Sequence, residues 1–125
     1  MRLSWLAAAG SLVFFLTSPA FAVEPHEFIL SNGMKVLLVE VPKAPVATVQ
    51  VWYKVGSRNE VMGRAGLSHM LEHMMFKGTA KYPKGEFSRL IRKNGGTDNA
   101  FTSQDFTAYF ENLAADRVEL ALELE

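Results

Sequence analysis

At 125 residues, with 49% hydrophobic and 21% charged residues, the chain can build one modest domain with a core, which excludes a disordered or fibrous protein. Thirteen basic residues balance thirteen acidic ones, leaving no net field that would point to nucleic acid or an anionic membrane surface. Cysteine is absent, so disulfides, thiolate metal sites and a lipid-modified cysteine are excluded.

The first 22 residues read as a signal peptide. Arg2 gives a positive start, residues 6–16 give a short apolar run, and Ala20-Phe21-Ala22 places small residues where a signal peptidase reads, so cleavage is expected before Val23. The run is broken by Gly10 and Ser11 and ended by Thr17, Ser18 and Pro19, short of the roughly 20 residues that span a bilayer. Processing would leave no stable membrane anchor. Export follows, with the periplasm the best fit and release to the medium the alternative. Residues 23–125, with 12 basic and 13 acidic residues once Arg2 is removed, carry a formal charge of −1.

From residue 27 to 41, two apolar runs flank Asn32-Gly33, a pair that suits a type I′ hairpin turn. Pro42 and Pro45 mark a loop, and residues 46–55 read as a third strand, β-branched and long enough to be central in a sheet. Gly56-Ser57-Arg58-Asn59-Glu60 is a polar break that reads as a solvated loop. A helix is expected over residues 66–76, stopped by Lys77-Gly78-Thr79. A second follows Pro83 to Asn94, with Phe87, Leu90 and Ile91 as its apolar stripe and Gly95-Gly96 as its end. Residues 97–102 and 106–110 read as two strands, and residues 114–125 as a last helix with Asp116 as its N-cap or first-turn charge. That helix ends without a terminator at Glu125, so the chain reads as cut in mid-element. The order implies an α/β (α+β) fold, a mostly antiparallel sheet covered by helices.

Chemistry concentrates in His69-Met70-Leu71-Glu72-His73. At about 100° per residue, Leu67, Met70, Leu71, Met74 and Met75 share one helix face, while His69, Glu72 and His73 lie within a roughly 100° arc opposite. The apolar side is the one expected to be buried. Histidines one turn apart can both reach one Zn²⁺ at about 2.0–2.1 Å, and the intervening carboxylate suits the base that takes a proton from water. This order is the inverted zincin motif. Surface histidines on an amphipathic helix are the bland alternative. A catalytic zinc normally has a third protein ligand. His26 is more simply an exposed residue of the first strand, and the spacing of Glu86, Glu111, Glu119, Glu123 and Glu125 selects none of them.

Gly56-Ser57-Arg58-Asn59-Glu60, the run from Gly66 through Thr79 that contains the zincin motif, and Gly95-Gly96-Thr97-Asp98-Asn99-Ala100-Phe101-Thr102 together resemble the insulinase or pitrilysin peptidases, family M16. The bacterial processing-peptidase-like type, similar to the β subunit of mitochondrial processing peptidase, is the nearest in character. The resemblance implies a LuxS/processing-peptidase-like metallohydrolase fold, incomplete here, with 23–125 the N-terminal part of a catalytic domain. It implies that His69 and His73 bind Zn²⁺, that Glu72 activates water, and that the third ligand is a glutamate on a helix beyond residue 125. Asn99, Ala100, Phe101 and Thr102 would form an edge strand on which a peptide or unfolded polypeptide adds as a further strand. A second peptidase-like domain or subunit would complete the chamber. Two rivals stand beside this zinc metalloendopeptidase: a non-catalytic peptide-binding or scaffold subunit related to such enzymes, and a small zinc hydrolase complete at 125 residues.

Overall fold

The computed structural model describes residues 24–125, which fall into two compact units dividing after Val41. The expected signal peptide, residues 1–22, lies outside the described residues. In the first unit, β1 (His26–Ile29) and β2 (Lys35–Leu38) form an antiparallel hairpin, with Phe28 opposite Val36 and Lys35 bridging Glu27 at 2.6 Å. Its turn differs from the expected two-residue type I′. Leu30 N–H donates to Met34 O and Gly33 N–H to Leu30 O, so three residues form the loop. Only Gly33 has positive φ, at 86°, whereas type I′ requires positive φ at Asn32 as well. Asn32 instead accepts the Met34 N–H at its side chain.

The second unit is built on a three-stranded antiparallel sheet of β3 (Val46–Tyr53), β4 (Thr97–Thr102) and β5 (Thr107–Ala114), in the order β3-β5-β4. The central strand is therefore β5, and β3, expected at the centre, lies at an edge. Burial follows that position: Thr107, Ala108, Tyr109, Glu111 and Leu113 are all buried. The register puts Tyr109 between Val51 and Ala100, and Glu111 between Val49 and Asp98. Three helices complete the unit: α1 (Leu67–Met75), α2 (Glu86–Lys93) and α3 (Val118–Leu124). The first two contact β4, and α3 contacts β3 and β5. The other sheet face carries Trp52, Phe101, Phe106 and Phe110, with Trp52 and Phe106 ring centroids 4.8 Å apart. Trp52 and Phe101 are both register partners of Ala108, which they flank and help to bury.

Local chemistry sets the helix ends. At the C-terminus of α2, Gly95 N–H bonds Arg92 O and Gly96 N–H bonds Ile91 O, a Schellman arrangement with Gly95 at φ 75°. Asp116 does not cap α3. It sits in a 3₁₀ turn, Ala115–Arg117, that precedes the helix, and the N-cap is Arg117.

Candidate active site

The helix α1 is rotated away from its hydrophobic pattern, and of its five apolar residues Leu71 and Met75 line a small cavity with Tyr53 and Tyr109 of the sheet. Ser68 and Glu72, each 8% exposed, are its buried residues, whereas Leu67, Met70, Leu71, Met74 and Met75 are 46–62% exposed. The cause is a polar anchor: Thr102 in β4 donates its hydroxyl to Glu72 Oε2. A buried carboxylate is costly unless bonded, so the helix face holding Glu72 must meet the strand that supplies the donor. Burial of Tyr109 on the neighbouring strand pushes its phenol up to about 12, and the Glu72 charge adds to the shift.

Seated in this way, α1 presents His69 and His73 outward with their Nε2 atoms 3.1 Å apart. Two tetrahedral zinc ligands at about 2.05 Å from the metal lie about 3.3 Å from each other, so the pair fits one cation. Among the described residues, no group of three His, Asp or Glu side chains that could hold a metal is assembled. The candidate glutamates are engaged elsewhere where the structure shows their partners. Glu86 binds Arg89, Glu123 binds Lys81 and Tyr82, and Glu111 is buried in the sheet. His26 lies in β1, in the other unit.

A cleft of about 530 Å³ runs beside the helix, lined by Glu60, Gly66, His69 and Glu72 on one side and by residues 100–104 on the other. Ala100, Phe101 and Thr102 thus line the same cleft as His69 and Glu72, whereas His73 does not line it. Asn99 belongs to the same strand but does not line it. In the described sheet β4 pairs only with β5, so its second side is an edge. The Ala100 N–H is held by the Asn99 side chain at 2.9 Å rather than by a strand.

The polar break before α1 is ordered, not simply solvated. Its N–H groups dock on the β4–β5 turn, Ser57 to Ser103 O at 3.1 Å and Arg58 to Gln104 O at 2.9 Å, and Arg58 bridges Asp105 at 3.0 Å. Gly56 is required by close approach: a Cβ there would meet Ser103 O and come within 2.6 Å of Gln104 O. The segment ends in a residue that sequence reasoning missed. Glu60 accepts the N–H of Gly66 at 2.7 Å and of Ser68 at 2.8 Å, capping α1 with both carboxylate oxygens. The Ser68 and then the Gly66 hydrogen bond hold its carboxyl below the usual range, and a negative charge at a helix N-terminus is favourable. The N-cap, Gly66 at φ 90°, has no side chain to do this. A glutamate six residues before an uncapped glycine was the available signal, but no local rule pairs residues at that spacing.

The description "Insulinase (Peptidase family M16)" belongs to the family whose pattern matches residues 35–124. The zinc protease PqqE of Helicobacter pylori is 46% identical over 101 residues, 79% of this chain and 23% of that protein. Human insulin-degrading enzyme is 40% identical over 107 residues, 85% of this chain and 10% of the enzyme. Among solved structures, a protease from Helicobacter pylori superposes with a TM-score of 0.81 at 43% identity, covering 83% of this chain and 25% of that one. Pitrilysin superposes with a TM-score of 0.73 at 32% identity, covering 82% and 11%. The chain thus spans about a tenth to a quarter of the length of these relatives.

Proposed function

The chain belongs to the insulinase family, peptidase family M16, and from that premise we propose that it carries the zinc-binding helix and substrate edge of a zinc metalloendopeptidase. One observation supports this most: the His69 and His73 ring nitrogens converge to 3.1 Å beside a buried glutamate, with His69 and that glutamate in the wall of a cleft whose other wall is an open strand edge. A zinc ion bound there would polarise a carbonyl and make water acidic enough to lose a proton near neutral pH. Glu72 accepts that proton and returns it to the leaving amine. The extended substrate lies along β4, where its carbonyl replaces the Asn99 side chain as acceptor of the Ala100 N–H, so the backbone is read without a sequence requirement. The third ligand comes from a glutamate outside residues 24–125. Both the relatives' proportions and the two-histidine site favour a larger protein, in which a further peptidase-like domain or subunit closes the cleft.

Export through residues 1–22 belongs to the same proposal and is checked by N-terminal sequencing of the secreted or periplasmic protein, which should begin at Val23. The catalytic assignment is tested with Glu72→Gln in the full-length, zinc-loaded protein. It should keep its zinc and lose most peptide hydrolysis, and turnover near that of the unaltered protein would remove Glu72 from the role of base. The scaffold alternative predicts peptide binding without hydrolysis in the unaltered protein.

A further inference from the structure

We infer that Thr102 is a positioning residue for the general base, a reading that rests on the catalytic role proposed for Glu72. Three contacts lead to it. The Thr102 hydroxyl donates to Glu72 Oε2. The neighbouring Thr107 hydroxyl lies 3.4 Å from Thr102 Oγ1, but its one proton is directed to Val55 O at 3.0 Å. Thr107 Oγ1 can then only accept from Thr102, and between that distant hydroxyl and Glu72 Oε2 the Thr102 proton goes to the carboxylate, the nearer and stronger, charge-assisted acceptor. Glu72 is only 8% exposed, so this bond replaces much of the water that would otherwise solvate Oε2.

The consequence is a division of labour between the two oxygens. Oε2 is fixed to the sheet and Oε1 is left as the proton acceptor. Thr102 is β-branched and sits in a regular strand, which restricts its rotamer and hence the direction in which it holds the carboxylate. The same strand offers the Ala100 N–H two residues away. Substrate register and base orientation are therefore set by one element, and Thr102 acts through Glu72 rather than on the peptide.

The test is a double-mutant cycle in the full-length, zinc-loaded protein, with Thr102→Val, Thr102→Ser, Glu72→Gln and the pair Thr102→Val with Glu72→Gln. Thr102→Val should lower kcat by about tenfold to a hundredfold, the usual effect of losing a hydrogen bond to a charged group, with KM within about twofold. Thr102→Ser, which restores the hydroxyl, should recover kcat to within about threefold. In the Glu72→Gln background, Thr102→Val should cost no further kcat, and zinc content should match across the set, while the loss of the bond to a buried carboxylate lowers the thermal midpoint of Thr102→Val itself. If Thr102→Val does not fold, Thr102→Ala is judged by the same criteria. An equal loss of kcat in both backgrounds, a rise in KM alone, loss of zinc, or failure of serine to rescue would each overturn the inference. Undiminished turnover in Glu72→Gln would instead overturn the base assignment itself, so the two failures are distinguishable.

Discussion

Replacing Glu111 by glutamine should change how stability responds to pH. Glu111 is 1% exposed in the central strand, and its Oε2 has no hydrogen-bond partner among the described residues. Burial is the main cause that raises its carboxyl to about 9, and the side chains of Glu125 and Asp98 on neighbouring elements add to it. The folded value is above the unfolded one of 4.5, so between those limits the folded state holds a proton that the unfolded chain releases. Stability from this group is therefore present below about pH 4.5 and is lost as pH rises towards 9, at up to about 1.4 kcal/mol per pH unit. From pH 5 to 8, wild-type protein should lose about 2–4 kcal/mol more than Glu111→Gln, whose amide does not titrate. Urea unfolding of both proteins at the two pH values measures this difference, because histidine titration is common to both and cancels. Parallel pH profiles, within about 0.5 kcal/mol, would refute the claim of a buried, protonated carboxyl.

Further expectations concern the segments around the site. Gly56→Ala forces a Cβ into the Ser103 and Gln104 carbonyls and should destabilise the protein by about 1–3 kcal/mol in chemical denaturation. An unchanged midpoint would mean that the loop does not pack as closely as described. Glu60→Ala removes the cap of α1 and should weaken zinc affinity by about tenfold or more, as loss of supporting contacts around a metal commonly does. Competitive chelator titration measures this, with equal affinity as the contrary result. Ala100→Pro deletes an edge N–H without removing a ladder bond of the described sheet, so KM should rise sharply for peptide substrates while zinc content stays full. Unchanged peptide kinetics would remove residues 99–102 from the substrate site.

Sequence periodicity located most elements because their signals are local. The bounds of β4 and the helical run holding His69, Glu72 and His73 follow from spacing alone, as does the glycine end of α2. What was not legible depends on partners far along the chain. The rotation of α1 on the sheet is set by Thr102, 30 residues beyond Glu72, which leaves Leu67, Met70 and Met74 exposed while Leu71 and Met75 line a cavity with Tyr53 and Tyr109. Strand β5 is longer than the expected 106–110, because Glu111 and Asn112 look like breakers in a strand. The burial of Glu111 also hid the alternation of Thr107, Tyr109, Glu111 and Leu113 that marks β5 as central. Strands β3 and β5 are eight residues each, whereas the expected bounds of 46–55 and 106–110 ranked β3 as the longer and hence the central one. Glu60 was invisible for a related reason, since it caps a helix that starts beyond two glycines rather than at its own flank.

The central claim is that His69 and His73 hold the same zinc ion. Anomalous diffraction at the zinc edge from crystals of the full-length protein tests it most directly. The account predicts one peak within about 2.1 Å of both Nε2 atoms, with Glu72 outside bonding distance. A fully loaded protein whose peak lay away from this pair, or touched only one of the two rings, would contradict it.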